Sequence, residues 1–140
     1  MSKSFLVPHD FSTISLSFSN DTINPAGSTF TVSQLQSGEY ITLNATGGSA
    51  VSVPNLFPGL DITFIVANTG AHTITAPTGT LYGTMNYPYA GTSGNLVASA
   101  NSVISTTSGS SVGDRIKLTS DGVRCYLSGT VSAFNGVRLS

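Results

Sequence analysis

The feature that most constrains this chain is an alternation of apolar and polar residues with a period of two. Residues 14–18, 29–32 and 40–43 show it clearly, with serine or threonine between the apolar positions. Successive side chains of a β-strand point to opposite faces, so this pattern is typical of strands with one buried face. No stretch keeps the 3.6-residue apolar spacing of an amphipathic helix. The sequence therefore predicts an all-β fold with little helix.

The most apolar segment, residues 61–67, is expected to form a central strand that is covered on both faces. Turn-forming residues at 68–71 follow it and predict a hairpin that leads into a strand at 72–76. The Asp121-Gly122 dipeptide, which lies between two alternating segments, is the strongest hairpin signal in the chain. A tight turn with positive φ at Gly122 is expected there.

Two regions do not follow the regular alternation. Residues 77–94 contain several glycines and tyrosines, which indicates a long ordered loop or a loosely paired hairpin. The best helical candidate, residues 95–101, is short and runs into the β-branched pair Val103-Ile104, so residues 96–104 are interpreted as strand more than helix. Residues 105–111 are rich in serine, threonine and glycine, and this composition predicts a surface loop.

Length and pattern together predict one domain, a single antiparallel β-sandwich or jelly-roll-like fold of short strands with long surface loops. Residues 1–10 are expected to form an N-terminal arm and residues 11–140 the β domain. Antiparallel pairing is expected to dominate, because no crossover helices are visible. The expected core residues are Ile14, Leu16, Phe18, Phe30, Val32, Ile41, Leu43, Ile62, Phe64, Val66, Ile74, Ile116 and Leu118.

Charge is scarce, at 8% of residues against about 25% in an average globular domain. The 5 basic and 6 acidic side chains argue against binding nucleic acid through a basic face, and against a polybasic membrane contact. No apolar run near the start is long enough for a secretory signal, and the longest run, residues 62–67, is too short to span a bilayer. We expect neither a nucleic-acid nor a membrane partner.

Groups that could support catalysis are few. The six carboxylates are scattered along the chain, and the two histidines, His9 and His72, are interpreted as structural or solvent-exposed. Cys125 is the single cysteine, which excludes an intrachain disulfide and a cysteine-based zinc site. We therefore expect no enzymatic activity, no metal and no cofactor.

The surface composition favours assembly instead. Serine and threonine contribute 40 residues, and their hydroxyl groups can be buried against a neighbour at lower cost than charges. Three tyrosines, Tyr82, Tyr87 and Tyr89, lie close together in the chain. They could form a protein interface, cover one end of the core, or provide a platform for sugar, and the sequence leaves these three alternatives open.

A short pattern occurs twice: glycine, an acidic residue, any residue, isoleucine, any residue and leucine. It begins at Gly38 and again at Gly113, and a glycine turn follows each copy. The pattern could reflect a duplicated β unit, or it could be a general feature of hairpins that have an acidic entry and an alternating strand.

Four segments taken in order resemble small β-rich structural proteins of tailed bacteriophages and related viruses. They are SGEYITLNATGG at 37–48, VSVP at 51–54, PGLDITFIV at 58–66 and GDRIKLTSDGVRCYLSG at 113–129. The family commonly has a tryptophan after the Asp-Gly turn, where this chain has Cys125.

The resemblance implies a virion component, either a head decoration or cement protein or a module of a fibre. We expect a subunit on the outer capsid surface, made in the host cytoplasm, that binds the major capsid protein or other virion proteins and forms a homo-oligomer, with a trimer favoured. The alternative is a tail-fibre or host-attachment module that binds surface glycans. The candidate interface residues are Phe5, Leu6, Val7, Tyr82, Met85, Asn86, Tyr87 and Tyr89.

Overall fold

The computed structural model describes residues 22–23, 29–32, 37–89, 92–133 and 135–140. These residues form strands and no helix, which confirms the all-β prediction. The described strands in chain order are β1 (Thr22–Ile23), β2 (Thr29–Thr31), β3 (Tyr40–Leu43), β4 (Ala50–Ser52), β5 (Pro58–Val66), β6 (Thr73–Thr75), β7 (Leu81–Tyr89), β8 (Thr92–Asn101), β9 (Val103–Thr106), β10 (Arg115–Asp121), β11 (Cys125–Thr130) and β12 (Val137–Leu139). The N-terminal arm expected at residues 1–10 lies outside the described residues.

The strands form two sheets. One has seven strands in the order β1-β3-β5-β10-β11-β7-β8, and the other has five in the order β12-β9-β6-β4-β2. From β2 to β7 the chain changes sheet at every step, so β3 and β5 are neighbours in one sheet while β4 lies in the other. Strands joined in this way run parallel, because a strand of the opposite sheet brings the chain back to its starting end.

The expected dominance of antiparallel pairing is therefore wrong. Among the described strands five neighbouring pairs are parallel and five are antiparallel, so both sheets are mixed. The sequence does not predict parallel strands, because it shows no crossover helix. The crossovers here are made by strands of the second sheet, which have the same alternating pattern as any other strand.

One hydrophobic core is shared by the two sheets. The expected core residues within the described part of the chain are buried, except that Phe30 is half-buried and packs against the core from its edge. Ile14, Leu16 and Phe18 lie outside the described residues. Phe64 of β5 is completely buried and lies opposite Ile41 of β3 on one side and Ile116 of β10 on the other. β5 is therefore the strand around which the larger sheet is built.

The second face of β5 is not covered, contrary to the expectation from the sequence. Its inward residues are buried, whereas Asp61, Thr63 and Ile65 on the opposite face are half-exposed. β5 has paired strands on both edges, but the core covers only one of its faces. The apolar run in the sequence arises because Ile65 occupies an outward position.

The two predicted hairpins differ in outcome. The Asp121-Gly122 turn joins β10 and β11 as an antiparallel pair, and Gly122 has a φ of 95°, as expected. The hairpin expected at residues 68–71 is wrong, because β5 and β6 belong to different sheets. The segment between them carries the chain across the core and is held by His72, described below.

The irregular region at residues 77–94 contains most of a long hairpin. β7 and β8 pair antiparallel over nine positions, so the paired alternative is correct and the pairing is regular along most of its length. Residues 96–104 are almost entirely strand, which confirms that interpretation. Within the surface loop expected at 105–111, Thr106 and Ser110 are buried.

The two copies of the repeated pattern share the φ of their glycine and the burial of the acidic residue. Gly38 and Gly113 have φ values of 91° and 98°, and the acidic residue after each of them, Glu39 or Asp114, is buried. The strands that follow, β3 and β10, flank β5 on opposite sides. β3 runs parallel to β5 and β10 runs antiparallel to it, so the glycine and the buried acid are repeated while the direction of the strand relative to β5 is not.

Candidate interaction surface

The outer face of the seven-stranded sheet points away from the core and carries the most distinctive side chains of the described surface. The strand register places Asp61 of β5, Thr119 of β10, Tyr126 of β11 and Tyr82 of β7 side by side across this face. Because residues directly opposite each other on one face of a sheet have Cβ atoms about 5 Å apart, these side chains form a continuous row.

At one end of this row lies a cluster that we call the tyrosine–arginine surface, made of Tyr82, Asp121, Arg124 and Tyr126. The turn between β10 and β11 organises it. Asp121 Oδ1 accepts hydrogen bonds from the backbone N–H groups of Val123 at 2.8 Å and Arg124 at 2.7 Å, and Oδ2 accepts one from the Tyr126 hydroxyl at 2.7 Å. One carboxylate thus holds the turn and one tyrosine in a fixed geometry.

These hydrogen bonds change the acid–base properties of the cluster. The backbone N–H of Arg124, followed by the Tyr126 hydroxyl and the backbone N–H of Val123, lowers the pKa of Asp121 from 3.8 to about 2. The hydrogen bond to Asp121 raises the pKa of Tyr126, because the tyrosine must be protonated to donate. The carboxylate is therefore charged and the phenol neutral over the whole physiological pH range.

Arg124 connects the two tyrosines. Its guanidinium carbon lies 5.2 Å from the centre of the Tyr82 ring, within the range of a cation–π contact. A hydrogen bond with Tyr126 is the main factor that raises the pKa of Arg124. Tyr82 and Tyr126 are themselves direct partners in the parallel pair of β7 and β11. The cation therefore lies over the Tyr82 ring, and Tyr126 is the direct neighbour of that ring on the same face.

Two further features extend this face. Lys117 and Asp61, which lie near each other on β10 and β5, form an ion pair with Nζ 3.4 Å from Oδ1, and both side chains remain half-exposed. Tyr40 of β3 lies in the same row as Lys117, is 53% exposed, and lies directly opposite Thr63. The face thus combines three exposed or half-exposed tyrosines with two carboxylates, Asp61 and Asp121, that have partners within the chain.

This arrangement is suited to contact with another macromolecule. Tyrosine and arginine are the residue types, with tryptophan, that most often dominate the energy of protein interfaces. Because Asp61 and Asp121 already have partners inside the chain, neither carboxylate needs a new partner when it is covered.

A second feature lies near the tip of the β7–β8 hairpin. An open groove of about 620 Å³ is lined by Asn86, Tyr87, Pro88, Gly94, Asn95 and Thr130. The register places Asn86 between Asn95 on β8 and Thr130 on β11, so two amides and a hydroxyl line up across the outer face. Such neutral donors and acceptors could bind a neutral polar ligand.

The candidate interface residues from the sequence are distributed over different parts of the molecule. Tyr82 and Asn86 lie on the outer face, whereas Tyr87 alternates to the inner face and packs against the core. Met85 is wrong as an interface residue, because it is completely buried. It is a candidate because it lies in the middle of the irregular region 77–94, but alternation along β7 turns its side chain inward.

The other four candidate interface residues remain predictions. Tyr89 is the last residue of β7, and Phe5, Leu6 and Val7 lie outside the described residues. Since Tyr82 and Tyr87 point to opposite faces of the sheet, these two rings do not share a platform, and Tyr87 matches the alternative in which a ring covers the core.

Sequence reasoning missed Tyr126, Arg124 and Tyr40. The alternation in β11, with Cys125 and Leu127 buried, would have placed Tyr126 outward. The pairing of Tyr126 with Tyr82 left no signal, because it joins two parallel strands that are more than 40 residues apart in the chain. No local pattern identifies such a neighbour.

His72 is structural, as one of the two interpretations held. It is completely buried, and its Nδ1 accepts a hydrogen bond from the Ser49 N–H at 2.9 Å. Its Nε2 is 2.7 Å from the Asn68 carbonyl oxygen, so the ring is neutral with its proton on Nε2. Its backbone N–H donates to Thr106 Oγ1 at 2.8 Å. The side chain thereby ties the crossing segment between β5 and β6 to the start of β4.

Asp114 has a similar structural role. Its carboxylate is buried and accepts hydrogen bonds from the backbone N–H groups of Ser111 and Ser132, each at 2.9 Å, and from the Ser132 hydroxyl. These contacts join the turn before β10 to the segment after β11. In the described part of the chain no three histidine, cysteine or carboxylate side chains come together in a way that could hold a metal ion.

Comparison with protein-family models, with curated proteins and with solved structures finds no match to this chain. The described residues also contain no helix that is long and apolar enough to cross a membrane.

Proposed function

We propose that the chain is a structural protein of a virus particle, a decoration or cement subunit that binds the outside of the capsid between neighbouring capsomers. The observation that carries this proposal is the tyrosine–arginine surface, a contact surface of fixed geometry on the outer face of a large sheet. The sequence resemblance to small β-rich phage proteins adds support. The two mixed sheets, in this proposal, stack as a sandwich rather than wind as a jelly roll.

The partner in this proposal is the major capsid protein or another virion protein, and the role is binding, without catalysis or a cofactor. The chain would be made in the host cytoplasm and would act on the outer capsid surface. Its mechanism is the burial of surface. A standard interface buries about 1,600 Å² in total on the two partners, and many symmetric copies add avidity.

Copy number is the direct test of the location. Quantitative gel densitometry of virus particles purified from a culture that produces the chain should find it in hundreds of copies, as a subunit that covers a capsid requires. A handful of copies per particle would instead assign it to a fibre, and its absence from particles would overturn the viral assignment.

The role of the surface can be tested separately by rebinding to particles stripped of the protein. Replacing Tyr126 by alanine should weaken rebinding by at least about tenfold, which is typical for the loss of a central aromatic contact. Thr84→Ala, an exposed position on the neighbouring strand β7, is the matched control and should rebind normally. Equal rebinding of both variants would show that the contact lies elsewhere.

The second candidate function is a host-attachment module that binds glycans, and the groove near the hairpin tip favours it. Asn86, Asn95 and Thr130 offer neutral hydrogen-bonding groups of the kind that pair with sugar hydroxyls. A glycan array probed with the wild-type chain and with Asn95→Ala tests it. Specific binding that the variant loses would favour attachment over decoration, and the absence of any bound glycan would exclude it.

A further inference from the structure

We propose that the free edge of β8 pairs with β8 of a second copy of this chain, in antiparallel orientation across a two-fold axis. This inference does not depend on the viral assignment, because it concerns only the contact between identical chains. It rests on the length of β8, on the absence of charge along it, and on the position of Val97.

β8 differs from the other edge strands of the described sheets. β1, β2 and β12 also lie at sheet edges and have two or three residues each, whereas β8 has ten. β8 pairs with β7 on one side, and no other described strand pairs with its opposite side. A long edge strand offers a row of backbone N–H and C=O groups that another strand can bind.

The usual protections of an edge are nearly absent from β8. Natural sheets block their edges with charged side chains, proline, bulges or very short strands. β8 contains no charged residue and no proline. Its single irregularity is at one end, where Ala100 has a φ of 60° and the Asn101 side chain accepts a hydrogen bond from the Ser99 N–H at 2.8 Å. The stretch before Ser99 pairs with β7 in unbroken register.

A second copy is the occupant that this edge fits best. Antiparallel pairing of two β8 strands places residues of one neutral segment against each other, so no like charges meet. Val97 lies near the middle of the strand and is 61% exposed on the outer face. In such a pair Val97 lies directly or diagonally opposite Val97 of the other copy, so two exposed apolar side chains cover each other.

The proposed contact limits the assembly to two copies. A two-fold pair uses the β8 edge of both copies and leaves no further long edge in the described sheets, so it ends at a dimer instead of extending into a fibre. This dimer takes the place of the trimer that the resemblance favours. The interface is small, so we expect a Kd on the order of 1–10 µM.

Analytical ultracentrifugation of the purified chain tests the proposal. At about 100 µM, well above the expected Kd, the wild-type chain should sediment as a dimer. Val97→Lys places two positive charges near each other at the centre of the pair and should shift the chain to monomer. Thr84→Lys, one strand further from the axis on the same face, is the matched control and should remain dimeric.

Cross-linking keeps the proposal testable if the lysine variant fails to fold. Val97→Cys should be joined rapidly by a short bismaleimide, since paired residues lie about 5–8 Å apart. Thr84→Cys should not, because three strand spacings, about 14 Å, separate the two copies of this position. Cys125 does not interfere, because it is completely buried and burial raises the pKa of its thiol to about 11.

Two results would overturn the proposal. One is a wild-type chain that stays monomeric at the highest concentration tested. The other is an oligomer that survives Val97→Lys in a folded variant and that gives no cross-link through Val97→Cys, since its subunits must then meet through another surface.

Discussion

Replacing Gly83 by alanine should separate β7 from β11 and destabilise the whole larger sheet. Gly83 has a φ of 124°, and a Cβ added there would lie 2.2 Å from the carbonyl oxygen of Leu127 on the neighbouring strand. Real Cβ contacts stay beyond 3.0 Å, so the strands would have to move apart by about 0.8 Å. The obstacle is backbone, which cannot rotate away as a side chain can.

The expected loss in the free energy of unfolding has two parts. An alanine in the left-handed region costs about 1–2 kcal/mol by itself. Moving β7 away from β11 weakens the ladder between them, and each backbone hydrogen bond contributes about 1 kcal/mol net. With two or three bonds weakened, Gly83→Ala should lower the free energy of unfolding by about 3–5 kcal/mol.

Comparison with Gly59→Ala isolates the steric part of the loss, because this variant lacks the clash. Gly59 also has a positive φ, of 88°, but a Cβ there would meet no atom within 4 Å. It should cost only the conformational term of about 1–2 kcal/mol. Urea titrations followed by far-UV circular dichroism measure both variants. If the two changes agree within about 0.5 kcal/mol, the close approach of β7 to β11 is not a constraint and the reasoning fails.

Four other outcomes are expected. His72→Phe keeps an aromatic ring at this position but leaves the buried Ser49 N–H and the Asn68 carbonyl without their ring partners. Urea titration should therefore show a loss of about 2–4 kcal/mol in the free energy of unfolding. His72→Asn, whose side-chain oxygen can still accept from the Ser49 N–H, should recover part of this loss. Phe64→Ala should cost about 3–5 kcal/mol in the same assay, because Phe64 is at the centre of the core. Since the folded pKa of Asp121 is depressed to about 2, its stabilising effect is present above the unfolded pKa of 3.8 and is lost as the pH falls towards 2. The melting temperature should therefore fall less over this acid range in Asp121→Asn than in the wild type. Finally, particles that carry the chain should retain it through a wash in about 1 M NaCl, because screening acts mainly on exposed charges and few are available for contacts between chains.

The sequence predicted what depends on neighbours along the chain. Period-two alternation identified the strands and most of their buried residues, because burial on one face of a strand follows directly from this spacing. Asp121 and Gly122 identified their own turn, since the turn type requires a positive φ that glycine accepts without strain. Asp121 was assigned only to the turn, yet the same carboxylate also positions Tyr126.

The sequence did not predict what depends on neighbours in space. Alternation says which residues face the core, but it does not say in which sheet a strand lies or which strand lies beside it. The segment after β5 has the composition of a hairpin turn, yet the chain crosses to the other sheet there, held by the bonds of His72 to Ser49 and Asn68. The bond to Ser49 joins residues that are 23 positions apart in the chain, so local turn chemistry could not identify it.

The tyrosine–arginine surface depends on one such spatial neighbour. Tyr82 and Tyr126 meet because β7 runs parallel to β11, and the two strands can approach because Gly83 has no side chain to obstruct Leu127. In the sequence Gly83 is one of several glycines in a region that could be a loop, and in the fold its missing Cβ permits the contact on which the surface rests. Gly83→Ala should therefore also disrupt the packing of Arg124 against the Tyr82 ring, even though both residues remain present. If the proposed function is correct, a Gly83→Ala chain that still folds should rebind to particles as poorly as Tyr126→Ala, whereas Gly59→Ala should rebind like the wild type.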